Sequence, residues 1–150
     1  MVLFNDELNS YIEKEIEKYP IRIDWMFSDR IKNVSPGDGE ISHYWRHDHV
    51  SNKIYHSCTK IEIKINTKGM DLHAFLNAFH HELFHVEQIL NGDLYIDHHG
   101  RQFNYGYMVD NIPYLEKPCE KEAFYKTWEL LFSKIMSFRD YMRLYYNPSY

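Results

Sequence analysis

The sequence predicts an α+β fold in which a small antiparallel sheet packs on two long helices. Apolar residues alternate with polar ones in several segments of the first half, as they do in strands that bury one face. In the second half, two long segments instead repeat apolar residues every three or four positions, which is typical of amphipathic helices. The chain has 150 residues, the size of one domain, so we expect a single domain over 1–150.

The first half begins with a helix and continues as strands. We predict the helix over 5–18, where apolar residues recur at helical spacing until Pro20 ends the pattern. The apolar positions alternate from Ile21 to Phe27, and the segment 35–39 has the composition of a turn. Further strands are predicted at 40–49, 54–56 and 61–65.

A long amphipathic helix is predicted over 72–90. Asp71 is a suitable N-cap, because its side chain can accept a hydrogen bond from the first turn. Gly92 can end the helix in the left-handed conformation, which glycine adopts without strain. The apolar stripe comprises Leu72, Phe75, Leu76, Phe79, Leu83, Val86 and Leu90.

The segment 93–117 is irregular, with a short helix expected near 102–109, and a second long helix follows it. Pro118 suits the first turn of that helix, where a missing N–H costs nothing. The apolar stripe of this helix comprises Ala123, Phe124, Leu130, Leu131, Ile135, Phe138 and Met142.

Charge and cysteine content narrow the class of protein. Seventeen basic residues against 22 acidic ones give a net charge of −5, which argues against nucleic acid as a partner. We see neither a membrane-spanning apolar run nor a signal peptide. Cys58 and Cys119 are too few for a disulfide scaffold, so we expect a reduced, cytoplasmic protein without a membrane partner.

The first long helix carries the motif His81-Glu82-Leu83-Phe84-His85. Histidines four positions apart lie on one helix face, so both rings can reach one metal ion. Glu82, beside the first histidine, can hold a water at the metal and take its proton. This is the HExxH arrangement of zinc peptidases, in which Zn²⁺ lowers the pKa of that water toward about 7.

A catalytic zinc needs a third protein ligand, and two residues are candidates. Glu120 lies on the apolar face of the last helix, whereas Glu122 lies on its polar face. A carboxylate on the core side is costly unless it is paired, protonated or bound to a metal. His99 is the other candidate, because it lies in the segment that must turn back across the first long helix.

The motif at 81–85, taken with Glu120-Lys121-Glu122-Ala123, resembles the gluzincin pattern, in which a second helix presents the third ligand. In this respect the sequence is similar to minimal intracellular gluzincins of the ImmA/IrrE-like and M48-like kind. The resemblance covers residues 59–135 and implies a zincin-like fold with Glu120 as the third ligand. Gln88 extends the motif to HExxHxxQ, which occurs in some of these proteins. Phe124 is a departure, because many relatives have an Asp or Asn there that supports the site.

The motif with His99-Gly100-Arg101-Gln102-Phe103 also resembles the SprT-like metalloprotease pattern, in which the histidine of HGxxF is the third ligand. That resemblance implies His99 as the ligand. The acidic charge and the lack of a cysteine-rich zinc ribbon argue against that family's role on DNA-bound proteins.

Both resemblances imply a zinc-dependent metalloendopeptidase that hydrolyses a peptide bond in an intracellular protein or peptide. We expect an extended substrate to bind along an exposed sheet edge, either 61–65 or 40–49. A second donor is expected for the oxyanion, and the candidates are Tyr95, Tyr105, Tyr107, Tyr114, His98 and His99. The alternative function is that of a non-catalytic binding or regulatory protein in which the zinc is structural.

Overall fold

The computed structural model describes residues 2–50 and 53–135, which form an α+β structure. Three α-helices occur in that part of the chain, and none is both long and apolar enough to cross a membrane. The predicted stripe residues Phe138 and Met142 lie outside the described residues. The elements are α1 (Asp6–Ile16), β1 (Arg22–Ser28), β2 (Gly39–Val50), β3 (Lys53–Asn66), α2 (Leu72–Asn91), β4 (Leu94–Ile96), β5 (Gln102–Asn104), β6 (Tyr107–Met108), a 3₁₀ turn (Tyr114–Glu116) and α3 (Pro118–Ile135).

Side-chain and glycine caps fix the ends of the first two helices. Asn5 accepts a hydrogen bond from the Leu8 amide at 2.9 Å, and Asp71 accepts one from the Ala74 amide at 2.7 Å. Gly92 ends α2 in the left-handed conformation with φ 79°. The predicted caps of α2 are therefore confirmed.

The main sheet has the strand order β1-β3-β2 and is mixed. β2 and β3 pair antiparallel, as predicted for the sheet, whereas β1 and β3 run parallel, which the prediction of an antiparallel sheet did not include. A connection of only two residues joins β2 to β3, so these two strands must run in opposite directions. β3 lies between β1 and β2, and β1 runs in the same direction as β3. The predicted strands at 54–56 and 61–65 are one continuous strand, with β3 in the centre of the sheet.

The core lies between the central strand and α2. Ile61, Ile63 and Ile65 on β3 are completely buried, and so are Phe75 and Phe79 on α2. Each such side chain stabilises the fold by about 1.5–3 kcal/mol through burial. This packing places α2 against the sheet.

A small second sheet, of order β4-β5-β6, occupies the segment that follows α2. The short helix expected near 102–109 is wrong, because a two-residue turn joins β5 to β6 there. Tyr105 and Gly106 both have positive φ, 52° and 86°, which is the conformation of the tight turns that match the twist of a hairpin. The turn brings the end of β5 against α3, where the Cys119 amide donates to Asn104 Oδ1 at 2.9 Å.

Candidate metal centre

Two helices bring together three side chains of the types that bind metal ions in proteins. His81 and His85 lie one turn apart on α2, and Glu120 lies in the first turn of α3. The His81 and His85 Nε2 atoms are 3.1 Å apart, and the Glu120 carboxylate oxygens lie 2.9 Å and 3.0 Å from them. All three residues are buried, and their arrangement could hold a metal ion.

The structure brings Glu120 to the histidines and leaves His99 outside this cluster. Glu120 is 7 % exposed and points toward α2, as its place on the apolar helix face predicts. His99 is exposed in the turn between β4 and β5, where its amide donates to Asp97 Oδ1 at 2.9 Å. Arg101 closes the same turn through a 2.7 Å ion pair with Asp97.

Each of the three side chains in the cluster has a pKa that is affected by at least one of the other two. Burial alone would favour the neutral acid of Glu120, but its hydrogen bonds with His81 and His85 outweigh this and hold its pKa far below the usual range. Burial lowers the pKa of His81 despite its contact with the carboxylate. For His85, the interactions with Glu120 outweigh burial and raise the pKa. The site therefore retains an ionised carboxylate, which is the form that binds a cation.

Glu82 lies beside the cluster and is 6 % exposed. Burial raises the pKa of its carboxyl to about 7, against the opposing effect of His85. The nearby carboxylates of Glu120 and Glu40 contribute to this rise in pKa. A carboxyl with a pKa near neutrality can both accept and return a proton at physiological pH, as a general base and acid must.

A second layer of polar groups surrounds His85. Its Nδ1 lies 2.7 Å from Gln88 Oε1, and the Gln88 amide donates to the Cys119 carbonyl and to Glu122, each at 3.0 Å. Tyr105 in turn donates its hydroxyl to Glu122. The half-buried Glu122 thus belongs to a network that links α2 to α3.

The environment of His81 is different. Its ring centroid lies 4.4 Å from that of Phe124. Within residues 2–50 and 53–135, the buried Nδ1 of His81 has no hydrogen-bond partner. Phe124, the departure noted in the sequence, therefore provides an apolar wall where an acceptor would satisfy this atom.

An open cavity of about 830 Å³ adjoins the cluster and reaches His81 and Glu82. Of the four tyrosines considered as oxyanion donors, Tyr114 lines this cavity, with its ring 6.3 Å from that of Phe124. Tyr105 is engaged with Glu122, and Tyr107 is 78 % exposed. Tyr95 and His98 instead line a smaller cleft of about 400 Å³ beside Glu40–His43 of β2.

Sequence reasoning missed three residues that form this cavity. His73 and Asn77 lie two turns and one turn before His81 on the same face of α2, a spacing of four that could have identified them. Gly39, at the start of β2, approaches Glu82 so closely that an added Cβ would lie 2.6 Å from its Oε1. No local signal predicts that approach, because the two residues are far apart in sequence.

No protein-family model, curated protein or solved structure matches this chain. The candidate centre therefore rests on the cluster of His81, His85 and Glu120 and on its surroundings.

Proposed function

We propose that the chain is a zinc-dependent metalloendopeptidase of the gluzincin type, with a zincin-like arrangement of helices, acting on an intracellular protein or peptide. One observation carries the proposal. The HExxH histidines lie 2.9 Å and 3.0 Å from Glu120, and the glutamate of the motif is buried beside them at the wall of an open cavity.

The donor set fits zinc. Two imidazole nitrogens and one carboxylate form a known ligand set of catalytic zinc, so His81, His85 and Glu120 would hold the ion. His81 also borders the open cavity, so a substrate has access to the centre. The chemistry that zinc would supply there is Lewis acidity toward a water and the scissile carbonyl.

Glu82 is the residue that moves protons in this mechanism. Its carboxylate accepts a proton from the attacking water and later gives it to the leaving amine. This carboxyl is buried beside His85, one of the residues that would hold the zinc. Tyr114, on the wall of the same cavity, is the candidate donor to the oxyanion.

β2 supplies the edge along which an extended substrate can bind. The alternative edge, 61–65, is excluded because β3 pairs with a strand on each side. Gly39 contacts Glu82 and borders the larger cavity, while Glu40–His43 borders the smaller cleft. A peptide paired with this end of β2 would pass Glu82 on its way between the two spaces.

Glu82→Gln tests the function, because it removes the base and leaves the ligands in place. Unfolded proteins are incubated with the zinc-loaded chain, and new termini are detected by mass spectrometry. We expect the variant to keep its zinc and to cleave about 10²–10⁴-fold more slowly. Glu87→Gln, on the same helix, is the matched control. Identical behaviour of wild type and Glu82→Gln would leave only a binding or regulatory role.

A further inference from the structure

The Gln88 amide can be oriented in only one way. Gln88 follows His85 by one turn on α2 and is 2 % exposed. Its Nε2 lies 3.0 Å from the Cys119 carbonyl oxygen and 3.0 Å from Glu122 Oε1, and both of these atoms can only accept. If the amide nitrogen and oxygen were exchanged, the Gln88 oxygen would face the Cys119 carbonyl oxygen and Glu122 Oε1, and no hydrogen bond could form with either. Oε1 therefore faces His85.

This orientation determines the tautomer of His85. Its Nδ1 lies 2.7 Å from Gln88 Oε1, an acceptor, so Nδ1 must carry the hydrogen. When a metal ion takes the place of the proton on Nε2, the neutral imidazole keeps its single N–H on Nδ1, which leaves the Nε2 lone pair for the metal. Nε2 is the atom that lies 3.0 Å from Glu120 in the cluster. Gln88 thus presents His85 in the form that binds a metal.

The same side chain also joins the two helices where the third ligand enters. Cys119 directly precedes Glu120, so the hydrogen bond from Gln88 to its carbonyl fixes the first turn of α3 against α2. Glu122 extends this contact to the β5–β6 hairpin through the hydroxyl of Tyr105. The buried amide of Gln88 therefore contacts His85 directly and holds the backbone of Cys119, next to Glu120.

We propose that Gln88 is a positioning residue of the metal centre, which orients His85 through its carbonyl and anchors the start of α3 through its amide. This role rests on the proposed metal site. Outer partners of ligating histidines fix their orientation, and their loss weakens metal binding by about 10–100-fold.

The experiment measures the zinc dissociation constant of the whole chain by competition with a chromophoric chelator. Gln88→Met keeps the length of the side chain and removes both functions, and we expect the constant to rise by about 10–100-fold. Gln102→Met is the matched control. It changes the only other glutamine in the chain, whose carbonyl accepts from Lys117 at 2.9 Å, and it should leave the constant unchanged.

Two further variants test the same role if Gln88→Met does not fold. Gln88→Glu keeps an acceptor for His85 but places a second carboxylate against that of Glu122. Adding Glu122→Gln replaces the carboxylate at position 122 with an amide, which can donate a hydrogen bond to the side chain at position 88. We expect the double variant to bind zinc more tightly than Gln88→Glu alone. The Co²⁺ absorption spectrum of each variant reports the ligand geometry independently of activity.

Each result bears on a different claim. Equal zinc affinity of wild type and Gln88→Met, or no recovery in the double variant, overturns the positioning role and leaves the metal site intact. Failure of the wild-type chain to bind zinc overturns the metal site itself and with it the role of Gln88.

Discussion

The backbone of Gly39 lies directly against the carboxylate of Glu82. A Cβ at position 39 would stand 2.6 Å from Glu82 Oε1 and 3.2 Å from Cδ. Gly39 belongs to β2 and does not have a positive φ, so the conformation does not require glycine, whereas the close approach does. The start of β2 therefore sets the position of the proposed general base.

Gly39→Ala is expected to reduce activity without unfolding the chain. The nearest atom to the added methyl group is the end of a flexible side chain, which can move aside. The displaced carboxylate would no longer meet the attacking water, and a misplacement of about 1 Å can cost about 10²-fold in rate. The measurement compares kcat, zinc content and melting temperature with wild type. Unchanged kcat would show that Gly39 does not position Glu82.

Glu82→Gln is expected to stabilise the metal-free protein at high pH. Burial raises the folded-state pKa of Glu82 from about 4.5 to about 7, so the unfolded chain loses this proton first. The free energy of unfolding of wild type therefore falls as the pH rises from 4.5 to 7, by up to about 3 kcal/mol from this group. Glutamine does not ionise and escapes this loss.

Urea unfolding of the metal-free proteins at pH 5 and pH 8 measures the effect. The advantage of Glu82→Gln should be larger at pH 8, and Glu87→Gln serves as the control for removing a carboxylate from α2. An equal difference at both pH values would contradict the burial argument.

Tyr114→Phe is expected to slow turnover while leaving the metal in place. Tyr114 lines the cavity that reaches His81 and Glu82, which makes it the candidate donor to the oxyanion. Loss of one such donor costs about 10²–10³-fold in kcat. Tyr95→Phe, in the smaller cleft, is the matched control and should retain wild-type turnover. If the two variants have equal kcat, Tyr114 is not the donor.

Local patterns predicted the elements that carry the centre. The repeat on α2, with Asp71 and Gly92 at its ends, predicted that helix, because capping depends on neighbouring residues. Helix periodicity likewise assigned Glu120 to the buried face of α3. The choice between Glu120 and His99 stayed open because it depends on the path of 93–117.

Contacts between distant residues were not predictable in this way. The parallel pairing of β1 with β3 follows from the insertion of one strand, which alternation of apolar residues does not encode. The β5–β6 turn was missed because Tyr105 adopts the left-handed conformation that its residue type seldom takes. Gln88 was noticed as part of the motif, but its partners lie 31 and 34 positions away on α3.

The central claim is that Glu120 completes a zinc site with His81 and His85. The most direct test is the zinc content of the purified chain, for wild type beside Glu120→Ala and His99→Ala, with circular dichroism to verify folding. We predict one zinc per chain in wild type and in His99→Ala, and its loss in Glu120→Ala, because Glu120 lies 2.9 Å from His81 and His99 lies outside the cluster. Full zinc in Glu120→Ala, or none in wild type after the metal is added back, would contradict the account.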